Sequence, residues 1–143
     1  FAVAAGIARP VGGVLADKFG PKVIALISLA GIVSLAYIVG QQPAEGILTG
    51  VTFILMASAM GLGMGAVFAW IGPSTPPEKV GAVSGVVAAA GGLGGYFPPL
   101  AMGATYHAET NSYALGLWLL VLVGTFALVV AGMLRGTKAR DGK

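Results

Sequence analysis

Residues 12–22 read GGVLADKFGPK, a short polar break between two apolar runs, 1–15 and 23–40. The stretch holds Asp17, Lys18 and Lys22 within six residues, and it closes on Gly20 and Pro21. Glycine favours the end of a helix and proline the start of the next. The expected structure is therefore a tight, water-facing turn over 16–22 that joins two helices lying in lipid.

The rest of the chain repeats this alternation. Further apolar runs occupy 46–72, 81–106 and 113–134, separated by QQPAE (41–45), PSTPPEKV (73–80) and HAETNS (107–112). A helix needs about 20 apolar residues to cross a bilayer core of about 30 Å. The runs at 23–40, 46–72, 81–106 and 113–134 read as transmembrane helices, and 1–15 reads as part of a fifth. Only helices or closed barrels satisfy every backbone group in lipid, and the alternation of a barrel is lacking. Composition agrees: 57% of the 143 residues are hydrophobic and 9% charged, against roughly 25% charged in a soluble domain. The 24 glycines then signify close helix contact, because lipid gives no hydrophobic drive between helices. The expectation is an all-α membrane protein and a piece of a longer chain.

Charge placement orients the bundle. With five alternating helices, the 16–22 loop, the 73–80 loop and the tail at 135–143 share one side. They hold Lys18, Lys22, Lys79, Arg135, Lys138, Arg140 and Lys143. The loops on the other side hold no Lys or Arg, but Glu45, His107 and Glu109. By the positive-inside rule the basic side faces the cytoplasm, so the net charge of +3 indicates topology and not nucleic-acid binding.

One basic residue is left over. Arg9 lies eight positions before Asp17, or about 12 Å along a helix rising about 1.5 Å per residue. That is deep in the bilayer, where an ionisable group normally faces a water-filled path or a partner. Arginine stays charged when desolvated, and its planar fork suits planar oxyanions. Arg9 is the candidate anion ligand. A structural ion pair with a carboxylate elsewhere in the protein and snorkelling to the interface are the competing roles.

The GGVLADKFGPK stretch resembles the signature loop of the major facilitator superfamily, with Gly12, Asp17, Lys18 and Gly20 on the motif and Pro21 in place of its first terminal basic residue. A finer resemblance joins GIARPVGG (6–13), GLGMGAVFAW (61–70) and AAGGLGGYFPPLAMG (89–103): together they are similar to the nitrate/nitrite porter family. That resemblance implies a partial six-helix bundle comprising the end of helix eight, helices nine to twelve and a cytoplasmic tail. The chain's own N-terminal helices would complete it. An alternative register, helices two to six, is disfavoured by Phe97-Pro98-Pro99 and by the short charged tail. The resemblance further implies that Arg9 is the helix-eight substrate arginine and that Gly91, Gly92, Gly94 and Gly95 form the second nitrate signature. Gly91, Gly92 and Phe68 join Arg9 as candidate substrate contacts. One departure stands out: the family's GNG in helix ten is Gly63-Met64-Gly65 here, which puts any role of that position in doubt.

The implied function is secondary transport of nitrate, nitrite or both across the inner membrane by alternating access, as antiport or proton-coupled uptake. A carrier of another small solute is the alternative. No Asp or Glu lies within a span core, which favours anion exchange over proton coupling. Neither cofactor nor metal is expected: the chain has no cysteine and one histidine. It offers no nucleophile–base pair, so an enzyme is not expected. Gly81, Gly85, Ala88, Gly92 and Gly95 form a small-residue stripe at helical spacing, and Ala57, Gly61, Gly65 and Ala69 form a second. The two stripes are expected to pack on each other, and Pro98 and Pro99 to kink their helix. Trp70, Tyr96 and Phe97 read as interfacial anchors or pore contacts, Tyr113 and Trp118 as belt residues.

Overall fold

The computed structural model describes residues 2–41, 46–106 and 114–134. The 107–112 loop, most of the 41–45 loop, the 135–143 tail and Tyr113 lie outside the described residues. The rest is helical, with no strand among the described residues: α1 (Ala2–Phe19), α2 (Pro21–Gly40), α3 (Ile47–Ser74), a 3-10 turn at Pro77–Lys79, α4 (Val80–Ala104) and α5 (Ala114–Met133). Four segments are long and apolar enough to cross a membrane: Pro21–Gly40, Ile47–Ser74, Pro77–Ala104 and Leu115–Met133. α1 is not among the four, and it carries Arg9, Asp17 and Lys18 within its 18 residues. α4 continues across positions 98 and 99.

The first connection is shorter than expected. The predicted loop over 16–22 is helical as far as Phe19, and α2 begins at Pro21. Only Gly20 breaks the chain, at φ 95°, a conformation that glycine adopts without steric cost. Its amide bonds back to the Ala16 carbonyl at 2.9 Å, closing α1. Pro21 opens α2, where its lack of an N–H costs nothing. Ala16, Asp17, Lys18 and Phe19 contain no helix breaker, so polarity alone did not end the helix.

α3 is the hub, packing along both α1 and α2, while α5 lies along α2. The buried centre is made of small side chains. Ala16, Ala57 and Ala66 are fully buried, and Ala16 and Ala66 cluster with Ile24 and Ala25 under Leu15, Ala69 and Trp70. The α1–α3 crossing is closer still. A Cβ added at Gly12 would fall 2.7 Å from the Leu62 Cα and collide with the Leu62 carbonyl oxygen. One added at Gly61 would collide with the Ala5 carbonyl and lie 2.8 Å from the Ala8 methyl. The two helices run in the same direction, Ala5 beside Gly61 and Gly12 beside Leu62. They meet backbone to backbone, as helices in lipid do where small residues allow it.

The expected pairing of the two small-residue stripes is therefore corrected. The α3 stripe serves α1 and not α4. α1 carries Ala5, Ala8, Gly12 and Ala16 on one face, a set spaced to match it. The α4 stripe is open: a Cβ at Gly81, Gly85, Gly92 or Gly95 meets nothing within 4 Å. α4 contacts α3 and α5 only sparsely.

α2 and α5 run antiparallel. Tyr37 meets Trp118 edge to face, with ring centroids 5.4 Å apart, and Val33 lies against Gly124. The end of α5 consequently returns to the Gly20 turn, and the end of α3 lies at that same end of the bundle. Replacing Gly12 by valine should lower the Tm of the full-length protein by an amount matching an overpacking cost of roughly 1–3 kcal/mol. Gly6→Ala, where nothing lies within 4 Å, should leave it unchanged. Thermal unfolding in detergent reads both.

Candidate functional site

Arg9 sits midway along α1 with its side chain exposed. Among the described residues no carboxylate pairs with it and no hydrogen bond holds its guanidinium. Its backbone is held firmly: the Arg9 carbonyl abuts α3 at Gly65, whose added Cβ would also lie 2.8 Å from the Gly13 amide nitrogen. Pro10 follows inside the helix and removes one amide donor from the preceding turn. A rigid mount thus presents a cation with five unused donors, the equipment for gripping a planar anion from one side.

The other candidate contacts lie elsewhere. Phe68 and Gly91 share a cavity of about 290 Å³ between α2, α3 and α4, with Ala25, Leu29, Gly63 and Met64 also lining it. Arg9 does not line it, and neither does Gly92. Every one of these side chains is apolar, so an anion placed there would have no partner for its charge. Met64 reaches across to Gly91, its Cε 3.7 Å from where a Cβ would stand. Met64, the departure from the GNG pattern of the family that the chain resembles, is thus packed toward the glycine cluster. Gly92, Gly94 and Gly95 face open space. Tyr96 and Phe97 are exposed and meet edge to face at 5.9 Å.

At the signature stretch, Gly12 makes the close approach to Leu62 and Gly20 makes the turn. Asp17 and Lys18 are exposed, Lys18 with its Nζ 5.4 Å from the Phe19 ring. Lys22 does more than its sequence suggested. Its Nζ donates to the Gly132 carbonyl at 2.8 Å and to the Leu134 carbonyl. An ammonium thereby caps the last turn of α5, where carbonyls lack helical partners and the helix dipole is negative. A contact across 110 positions leaves no local trace in the sequence, and neither the packing stripe nor the Gly63-Met64-Gly65 stretch places Gly65 under Arg9.

Across all its residues, 1–143, the chain matches the family model described as Major Facilitator Superfamily. The chain belongs to the major facilitator superfamily. Among its similar relatives is the "Probable nitrate/nitrite transporter NarK2" of Mycobacterium tuberculosis, 51% identical over 127 residues, 89% of this chain and 32% of the relative. The "Nitrite extrusion protein" of Bacillus subtilis is 36% identical, over 91% of this chain and 33% of its own length. The "Probable nitrate transporter NarT" of Staphylococcus haemolyticus is 34% identical, over 94% and 34%. The chain thus spans about a third of the length of these relatives. No solved structure matches it. As a multi-pass member of the superfamily, it places its signature stretch at one end of the bundle, with Lys22 joining that stretch to the last helix. Lys22→Met should lower the Tm of the full-length protein by the equivalent of roughly 0.5–1.5 kcal/mol, and Lys22→Arg should retain most of it. Equal thermal stability of the Met variant would deny the cap any weight.

Proposed function

We propose that the protein carrying this segment is a secondary transporter of nitrate and nitrite that works by alternating access, not an enzyme. The observation that supports this most is Arg9. It is a permanent charge halfway along a helix of the bundle, without a carboxylate partner among the described residues. Such a charge is costly in hydrocarbon, and a passing oxyanion offsets the cost. The names of the relatives, probable nitrate/nitrite transporter and nitrite extrusion protein, point to the same cargo.

In this reading the segment is the end of helix eight with helices nine to twelve, and an arginine from the other half completes the grip. The basic ends, with Lys18, Lys22 and Lys79, face the cytoplasm, and the protein resides in the inner membrane. The absence of Asp and Glu from the span cores favours exchange of nitrate for nitrite over proton coupling. The open glycine face of α4 is the surface along which the halves rock.

Nitrate uptake into proteoliposomes carrying the full-length protein tests this. Arg9→Ala should reduce uptake more than about 100-fold, as expected when charge-assisted hydrogen bonds of roughly 1.5–3 kcal/mol each are lost. Arg9→Lys should recover little, because a point charge replaces a planar fork. Unimpaired uptake by the alanine variant would remove Arg9 from the site.

A further inference from the structure

We propose that Gly65, with Pro10, is a positioning residue for Arg9, an inference that rests on Arg9 being the oxyanion ligand. In an α-helix the Gly13 amide bonds to the Arg9 carbonyl. Gly65 sits over that bond: its added Cβ would collide with the Arg9 oxygen, 3.1 Å from the carbonyl carbon and 2.8 Å from the Gly13 nitrogen. The turn that carries the guanidinium is therefore seated directly on the α3 backbone. No side chain stands between them to adjust.

Pro10 makes this seat decisive. Lacking an N–H, it leaves the Gly6 carbonyl without its donor four residues on, and its ring crowds the residue before it, which is Arg9. α1 is thus held least by its own hydrogen bonds just where Arg9 leaves it, and α3 sets the height of the turn instead. An ordinary carbon contact needs about 3.4 Å or more, so a single methyl at 65 must push this turn away by the order of an ångström. Misplacement of that size costs a well-oriented site up to about 100-fold. Gly65 touches no anion itself and acts only through the position of Arg9.

The test is the split between KM and Vmax for nitrate uptake by the full-length protein in proteoliposomes. Gly65→Ala should raise KM about tenfold with Vmax per folded transporter within about twofold. Gly72→Ala, on the same helix but with nothing within 4 Å, should leave KM unchanged. An unchanged KM for Gly65→Ala, or the same rise for Gly72→Ala, overturns the inference. If Gly65→Ala gives no monodisperse protein, Pro10→Ala decides. Pro10 is exposed, and restoring its amide should raise KM several-fold with Vmax within about twofold. An unchanged KM there overturns the inference equally. The two readings fail separately: an Arg9→Ala variant with normal KM removes the ligand role itself. If Arg9→Ala abolishes uptake and Gly65→Ala leaves KM untouched, the positioning role alone falls.

Discussion

The contact on which the structure depends is the backbone-to-backbone seat of α1 on α3, where Gly12, Gly61 and Gly65 leave no room for a methyl. In water, such a crossing would be reinforced by burying large apolar side chains. In lipid that drive vanishes, and dispersion between closely approaching backbones must hold the pair. The composition of the centre follows: among the described residues, alanines are fully buried while no large side chain is. The same closeness has a functional consequence. A helix resting on another backbone has little freedom to shift, so the turn of α1 that carries Arg9 is held at a set height on α3.

That mount resolves a conflict between stability and use. A guanidinium in the hydrocarbon layer is unfavourable unless something negative meets it, and α1 gives Arg9 no partner of its own among the described residues. The charge stands on a backbone seated against α3, with its guanidinium exposed. Around it the bundle has contrasting parts. α1, α2 and α3 interlock through small residues, and Lys22 ties the α1–α2 turn to the end of α5. α4 touches α3 and α5 only sparsely, and its Gly81, Gly85, Gly92 and Gly95 meet nothing within 4 Å.

Much of this was legible in the sequence, and the reasons differ from residue to residue. That the fold is all helical, with helices long and apolar enough to cross a membrane, followed from the apolar runs, since crossing a bilayer core takes about 20 apolar residues. Arg9 stood out because it alone among the basic residues fell inside a run. The extent of the first turn was misjudged because polarity was taken for a helix stop, whereas only Gly20 breaks the chain. The partner of the α3 stripe was misassigned because a stripe announces closeness without naming its mate. The face of α1, with Ala5, Ala8, Gly12 and Ala16, became visible as the match only in three dimensions. The reach of Lys22 to Gly132 and Leu134 is a property of the closed bundle and has no local signature.

The central claim is that the charge of Arg9, seated on α3, meets the transported anion. A structure of the full-length protein with bound nitrate examines it most directly. The account predicts guanidinium nitrogens within about 3 Å of two nitrate oxygens, the range of charge-assisted hydrogen bonds, with the Arg9 carbonyl still resting on Gly65. A side chain turned to the acyl chains or locked to a carboxylate, with nitrate bound elsewhere, would contradict it.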